Sequence, residues 1–133
     1  TITSKFGYRV DPINKEEIRY HSGIDLAVPM GTEIISIGNG IVYDVVYSDE
    51  KLGNHVYIKH NYNNMTYYSL YAHMLDDSIV VTKGQIINAG DTIGLVGMTG
   101  RATGYHLHLT LMSPIVSFNK KYLVDPYYVI EGL

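Results

Sequence analysis

The chain has 133 residues, a net charge of −3 with neutral histidine, six histidines and no cysteine. One domain of this length buries roughly two-thirds of the surface its unfolded chain exposes and needs no covalent staple. Zero cysteine excludes disulfides, a thiol nucleophile, a thiolate zinc site and an iron–sulfur cluster, and the slightly acidic balance speaks against a basic face for nucleic acid or an anionic membrane surface.

No stretch approaches the roughly 18 apolar residues of a membrane span, and no basic-then-apolar leader opens the chain. The first residue is Thr1 rather than Met, so residues 1–133 read as a single domain of a longer protein that has other domains. Residues 11–19 (DPINKEEIR) are polar and acidic and are expected to form an exposed loop, either solvated or facing a substrate. From there the chain reads as short runs punctuated by 13 glycines and 4 prolines. Strands are expected over 32–37 (TEIISI), over 40–47 (GIVYDVVY) after a Gly38-Asn39-Gly40 turn, and over 55–60 (HVYIKH). Others are expected over 65–72 (MTYYSLYA) after a turn at 61–64, and over 78–81, 92–96 and 106–112. Alternation in 65–72 places Tyr67, Ser69 and Tyr71 on one face. The turns at 84–91 read as hairpin structure. The glycine-rich run 94–104 has no lysine in the phosphate-loop position and precedes a strand, so it is not a phosphate loop. Asp125-Pro126 resembles an N-cap with a first-turn proline, and one short C-terminal helix ending near Gly132 is expected. The fold class that follows is all-β: mainly antiparallel sheets in a sandwich-like core with a groove, plus that helix.

Six histidines without sulfur mean that any metal takes nitrogen and oxygen ligands. His106 and His108 are two apart in an alternating strand, so both project from one face while Leu107 and Leu109 enter the core; as a pair they are either metal ligands or solvated strand residues. His21 and Asp25 are four apart in YHSGIDLAVPMGT, in an extended or looping segment, and supply the nitrogen–oxygen mix that zinc accepts. His73 is next to last in SLYAHM, where a strand is expected to meet a loop, a usual place for catalytic groups. Taken together, His21, Asp25 and His108 make three ligands and leave a fourth position for water, the pattern of a hydrolytic rather than a closed site.

The segments HSGIDLAVPMGT, YAHM, VTKGQIINAGDTIGLVGMTG and TGYHLHL, in this order, resemble the M23 family of zinc metallopeptidases, also called the LytM or lysostaphin-type domain. The resemblance spans about Ser4 to Met112. It implies Zn²⁺ bound by His21, Asp25 and His108, with His73 and His106 assisting catalysis. It also implies peptidoglycan stem peptides and their cross-links as substrate, by a metal-assisted hydrolysis in which one of those two histidines takes a proton from water, and an extracellular or cell-envelope location, secreted or on a phage particle. Family members cut either glycine bridges or the D-Ala–diaminopimelate cross-link, and the opening FGYRVDP looks more like the cross-link cutters. Arg9, as a carboxylate clamp or a structural ion pair, and Tyr105 are the candidate substrate-binding residues. Two positions depart from the family pattern: Thr110 replaces a frequent Glu beside the second histidine, and Tyr105 replaces a frequent Pro. His60 and Thr110 are candidates to hydrogen-bond the metal ligands from behind and hold their orientation, and His55 reads as a surface residue. A non-catalytic wall-binding or regulatory module on the same scaffold is the competing class.

Overall fold

The structure, a computed structural model, describes residues 2–4, 7–10, 18–21, 23–100 and 106–125, with the backbone alone described at 2–4, 7–10, 18–21, 24, 26, 27 and 106. Among the described residues twelve strands follow one another: β1 (Ile2–Ser4), β2 (Gly7–Val10), β3 (Ile18–His21), β4 (Gly23–Ala27), β5 (Glu33–Ile35), β6 (Gly40–Asp49), β7 (Gly53–Tyr62), β8 (Met65–Met74), β9 (Ile86–Ile87), β10 (Thr92–Leu95), β11 (His106–Met112) and β12 (Leu123–Val124). Among the described residues the helical content is one 3₁₀ turn, Lys120–Tyr122. The helix expected after Asp125 lies outside the described residues, as does most of the expected 11–19 loop. Ile18 and Arg19 belong instead to β3.

Every pairing among the described strands is antiparallel. The main sheet has eight strands in the order β1-β4-β11-β8-β7-β6-β9, with β12 added beside β11; β5 pairs β10 and β2 pairs β3 in two ribbons. The register of β8 against β7 and β11 sets the two faces. Leu109 opposes Tyr71, and Ser69 opposes Ile58 and Leu111. This face meets the β5–β10 ribbon, and Ile34, Val42, Val56, Ile58, Tyr71, Met74, Ile93 and Leu109 form the core between them. Each such side chain contributes roughly 1.5–3 kcal/mol when removed from water. The other face carries Leu70, Tyr68 and Met112, with Leu52, Tyr57, Val116 and Leu123 packed on them. It also carries the pair opposite Ala72, which is His108.

The long hairpin of β7 and β8 closes at Asn63 and Asn64, both left-handed with φ of 49° and 60°, the geometry whose twist matches antiparallel strands. The expected strand at 78–81 is absent. Ser78 and Val80 attach to neighbours by single backbone or hydroxyl bonds, Val80 N–H to Ile93 O at 3.1 Å among them, rather than by a ladder.

His60 lies on the core face and is only 2% exposed. Its Nδ1–H donates to Asn39 O at 2.8 Å, and Nε2 lies 2.7 Å from Ser69 Oγ. Ser69 Oγ is 3.0 Å from the Tyr71 hydroxyl, which accepts the Ile37 N–H at 3.0 Å. The network ties the turn before β6 to β7 and β8. Burial holds the His60 pKa below its usual value, against the opposing pull of the Asn39 carbonyl. A depressed folded-state value means that the unfolded chain binds the proton more readily. The stability is therefore present above about pH 6.5, the unfolded value, and is lost as pH falls through the lower folded value. Thermal melts of metal-free protein from neutral to acidic pH are expected to show this loss, with a shallower slope in His60→Gln; equal slopes would remove His60 from the cause.

Candidate active site

β11 lies between β4 and β8, and its register puts His108 opposite Asp25 on one side and Ala72 on the other. His108 is 8% exposed. Its Nδ1 lies 2.8 Å from Asp25 Oδ1, and its Nε2 lies 2.8 Å from Thr110 Oγ1, two residues along the same face. If Nε2–H donates to the hydroxyl, the Nδ1 lone pair and an anionic oxygen converge at a distance that a shared proton or cation must bridge. The donors are one imidazole nitrogen and one carboxylate oxygen, the types that zinc takes, and Thr110 is placed to set ring orientation and tautomer as an outer partner does. Close approach of β4 makes this possible: a Cβ on Gly23 would sit 2.0 Å from Leu109 O and 2.8 Å from Thr110 Oγ1, so any larger residue would force the strands apart beside the pair.

His73 comes from β8, one residue from its end, where the strand gives way to a loop. Simple alternation from Tyr71 would turn it into the core, away from His108. Two features prevent that. His73 is left-handed, with φ of 59°, and the β7–β8 register slips there, Asn54 opposing Met74 and Val56 opposing Tyr71. One β7 residue, His55, thus faces two of β8, Ala72 and His73, a bulge that re-aims the side chain. The His73 ring lies edge-on to that of His108, with centroids 6.1 Å apart. A non-glycine residue in this conformation costs about 1–3 kcal/mol and persists only where its surroundings over-determine it. Here the His73 N–H donates to Leu52 O at 2.8 Å, and its carbonyl accepts the Gly97 N–H at 3.2 Å. Its Nδ1 lies 2.7 Å from Thr99 O. The Thr99 contact was not legible in the sequence, because a backbone carbonyl leaves no mark on residue type.

The remaining candidates separate clearly. His106 opens β11 opposite Ala27, and His21 ends β3 two residues before Gly23, which pairs with Thr110. The backbone thus brings both positions to the Asp25–His108 neighbourhood, while their side chains lie outside the description. Arg9 pairs with Arg19 on the β2–β3 ribbon, known by backbone course only, and Tyr105 lies outside the described residues. Among the described residues no group of three His, Asp or Glu side chains gathers as a metal cluster. His60 lies on the core face, opposite to that of His108 and Thr110, within its own network. His55, expected at the surface, is 4% exposed. It folds against the turn that precedes it, with Nδ1–H donating to Gly53 O at 3.0 Å and its ring edge-on to Tyr57.

Residues 19–126 match the sequence profile of Peptidase family M23. The chain is 39% identical over 104 residues, 78% of its length, to the peptidoglycan DD-endopeptidase ShyA of Vibrio cholerae, covering 23% of that protein. A crystal structure of a zinc-containing peptidase from Vibrio cholerae superposes with a TM-score of 0.75 at 36% identity, over 94% of this chain and 35% of that one. The catalytic domain of the antimicrobial peptidase lysostaphin from Staphylococcus simulans superposes with a TM-score of 0.82 at 25% identity, over 98% and 92% of the two chains. The chain spans about a quarter of the length of the curated relatives it matches.

Proposed function

Because the chain belongs to peptidase family M23, we propose that it is a zinc endopeptidase that hydrolyses peptide cross-links of bacterial peptidoglycan, with the D-Ala–diaminopimelate bond as its target. The observation that carries this reading is the convergence of His108 Nδ1 and Asp25 Oδ1 at 2.8 Å, with the His73 ring edge-on to that of His108. Support for the bond comes from the relatives: at 39% identity they are named peptidoglycan DD-endopeptidases. The same relatives point to work in the cell envelope or outside the cell.

In this reading His21, Asp25 and His108 hold the metal, and Asp25 offsets part of its charge. Bound there, zinc supplies Lewis acidity to the scissile carbonyl and to the attacking water. Thr110 keeps His108 in one orientation through Nε2. A neutral imidazole, His73 or His106, takes a proton from the attacking water as the new C–O bond forms, and the other donates to the developing oxyanion. The proton then passes to the amine nitrogen as the C–N bond breaks, so the step balances with water as the only co-substrate. Arg9 and Tyr105 are the residues we assign to holding the stem peptide, Arg9 through a substrate carboxylate.

All five positions that carry metal and proton chemistry in the family motif are retained, which favours an enzyme over a wall-binding module. The test is competitive digestion of purified muropeptide dimers and pentaglycine, followed by mass spectrometry. Conversion of dimers to monomers with pentaglycine intact is the expected result; cleaved pentaglycine beside intact dimers would transfer the activity to glycine bridges.

A further inference from the structure

The end of β8 is held by a second constellation that the metal chemistry does not use. Thr99 Oγ1 accepts the Asn54 N–H at 3.0 Å and donates to Met74 O at 2.7 Å. Asn54 is itself committed on both sides of its amide. Its Oδ1 accepts the Ser48 N–H at 2.9 Å, and its Nδ2 donates to Met74 O at 3.2 Å and to Asp76 Oδ1 at 2.7 Å. The two backbones touch here. A Cβ on Gly53 would lie 2.6 Å from Thr99 O, and one on Gly100 would lie 2.4 Å from Gly53 N. Gly53 and Gly100 also have φ of 63° and 74°, where side chains are disfavoured. The result is a rigid junction of the β6–β7 turn, the end of β8 and the segment after β10. What the junction presents is the Thr99 carbonyl, 2.7 Å from His73 Nδ1.

A carbonyl oxygen accepts and never donates, so this contact selects the neutral tautomer protonated at Nδ1 and leaves the lone pair at Nε2. We propose that Thr99 is a positioning residue for His73: its hydroxyl, clamped between Asn54 and Met74, fixes the carbonyl that keeps the imidazole in the Nδ1–H tautomer, with Nε2 as the proton-accepting atom. This deepens the reading above, since it rests on His73 being a proton carrier. It also explains why the bulge at His73 is held by so many bonds: a ring that must accept a proton at one nitrogen needs the other nitrogen occupied.

The test begins with the wild-type, zinc-loaded protein labelled with ¹⁵N-histidine. Long-range ¹H–¹⁵N correlation is expected to show His73 protonated at Nδ1; the Nε2–H tautomer would overturn the proposal whatever any variant does. Thr99→Val keeps the shape and removes both hydroxyl bonds. It is expected to lower kcat roughly 10- to 100-fold, the cost of a misplaced group, with KM and zinc content unchanged and both His73 tautomers visible. Thr99→Ser restores the hydroxyl and is expected to restore the single tautomer and the rate. A Thr99→Val protein that keeps a single Nδ1–H tautomer, or a Thr99→Ser protein as slow as Thr99→Val, would overturn the assignment. Should Thr99→Val not fold, the wild-type spectrum and the Thr99→Ser rate still decide. His73→Ala is measured alongside: wild-type activity there would defeat the catalytic reading of His73, while the tautomer would still report on the clamp.

Discussion

His108→Ala is expected to bind no stoichiometric zinc and to cleave no peptidoglycan cross-link. The substitution removes the nitrogen that faces Asp25 Oδ1 at 2.8 Å and the ring that Thr110 orients. One carboxylate and one imidazole do not retain a metal that normally takes three protein ligands in a hydrolytic site. The fold should survive, because Leu109 and Leu111 on the opposite face of β11 keep the strand in the core and the backbone pairing with β4 and β8 is untouched. Metal analysis of the purified variant, with a melting curve to establish folding, checks this. Zinc bound at the wild-type ratio in folded His108→Ala would remove His108 from the ligand set.

His73→Ala has the second-largest expected effect and a different signature. Zinc content stays at the wild-type level, since His73 is assigned to proton transfer and not to the metal. Turnover falls by about 10²- to 10⁴-fold, the usual contribution of a positioned acid or base. Alanine inherits the left-handed conformation at this position without the Nδ1 bond to Thr99 O, so no gain in stability accompanies the loss of activity. Single-turnover rates on muropeptide dimers, with metal content measured on the same sample, separate this outcome from ligand loss. Wild-type rates would exclude His73 from catalysis.

Much of this architecture could be read from residue order. The alternation of HLHLTLM puts Leu109 and Leu111 in the core and His108 with Thr110 on the other face, and period two is rigid enough to make that inference safe. The Asn-rich turn before Met65 announced the long hairpin in the same way. Alternation misleads wherever the ladder slips. At His73 one extra residue in β8 and a positive φ reverse the side chain, and neither leaves a signature in SLYAHM. His55 departs from the alternation for a related reason. The polar face of HVYIKH is solvent-facing at Lys59, but at His55 the Asp49–Gly53 turn folds back and supplies the Gly53 carbonyl. The first four strands are short, three to five residues each, and β2 to β4 carry Gly, Arg or Asp, so local composition does not mark them as strands. Pairing with β11 and between β2 and β3 overrides that local preference. The chemistry of His21, Asp25 and His108 is legible in their residue types and spacing and in the motif resemblance. The structure adds the Asp25–His108 contact and the Thr110 and Thr99 partners, which depend on tertiary placement.

Metal-dependent hydrolysis of a cross-link is tested by following purified muropeptide dimers by liquid chromatography and mass spectrometry with zinc-loaded protein, chelator-stripped protein and stripped protein given zinc again. Monomers are expected in the first and third samples and intact dimers in the second. Intact dimers with folded, zinc-loaded protein, or equal cleavage after complete removal of the metal, would contradict it.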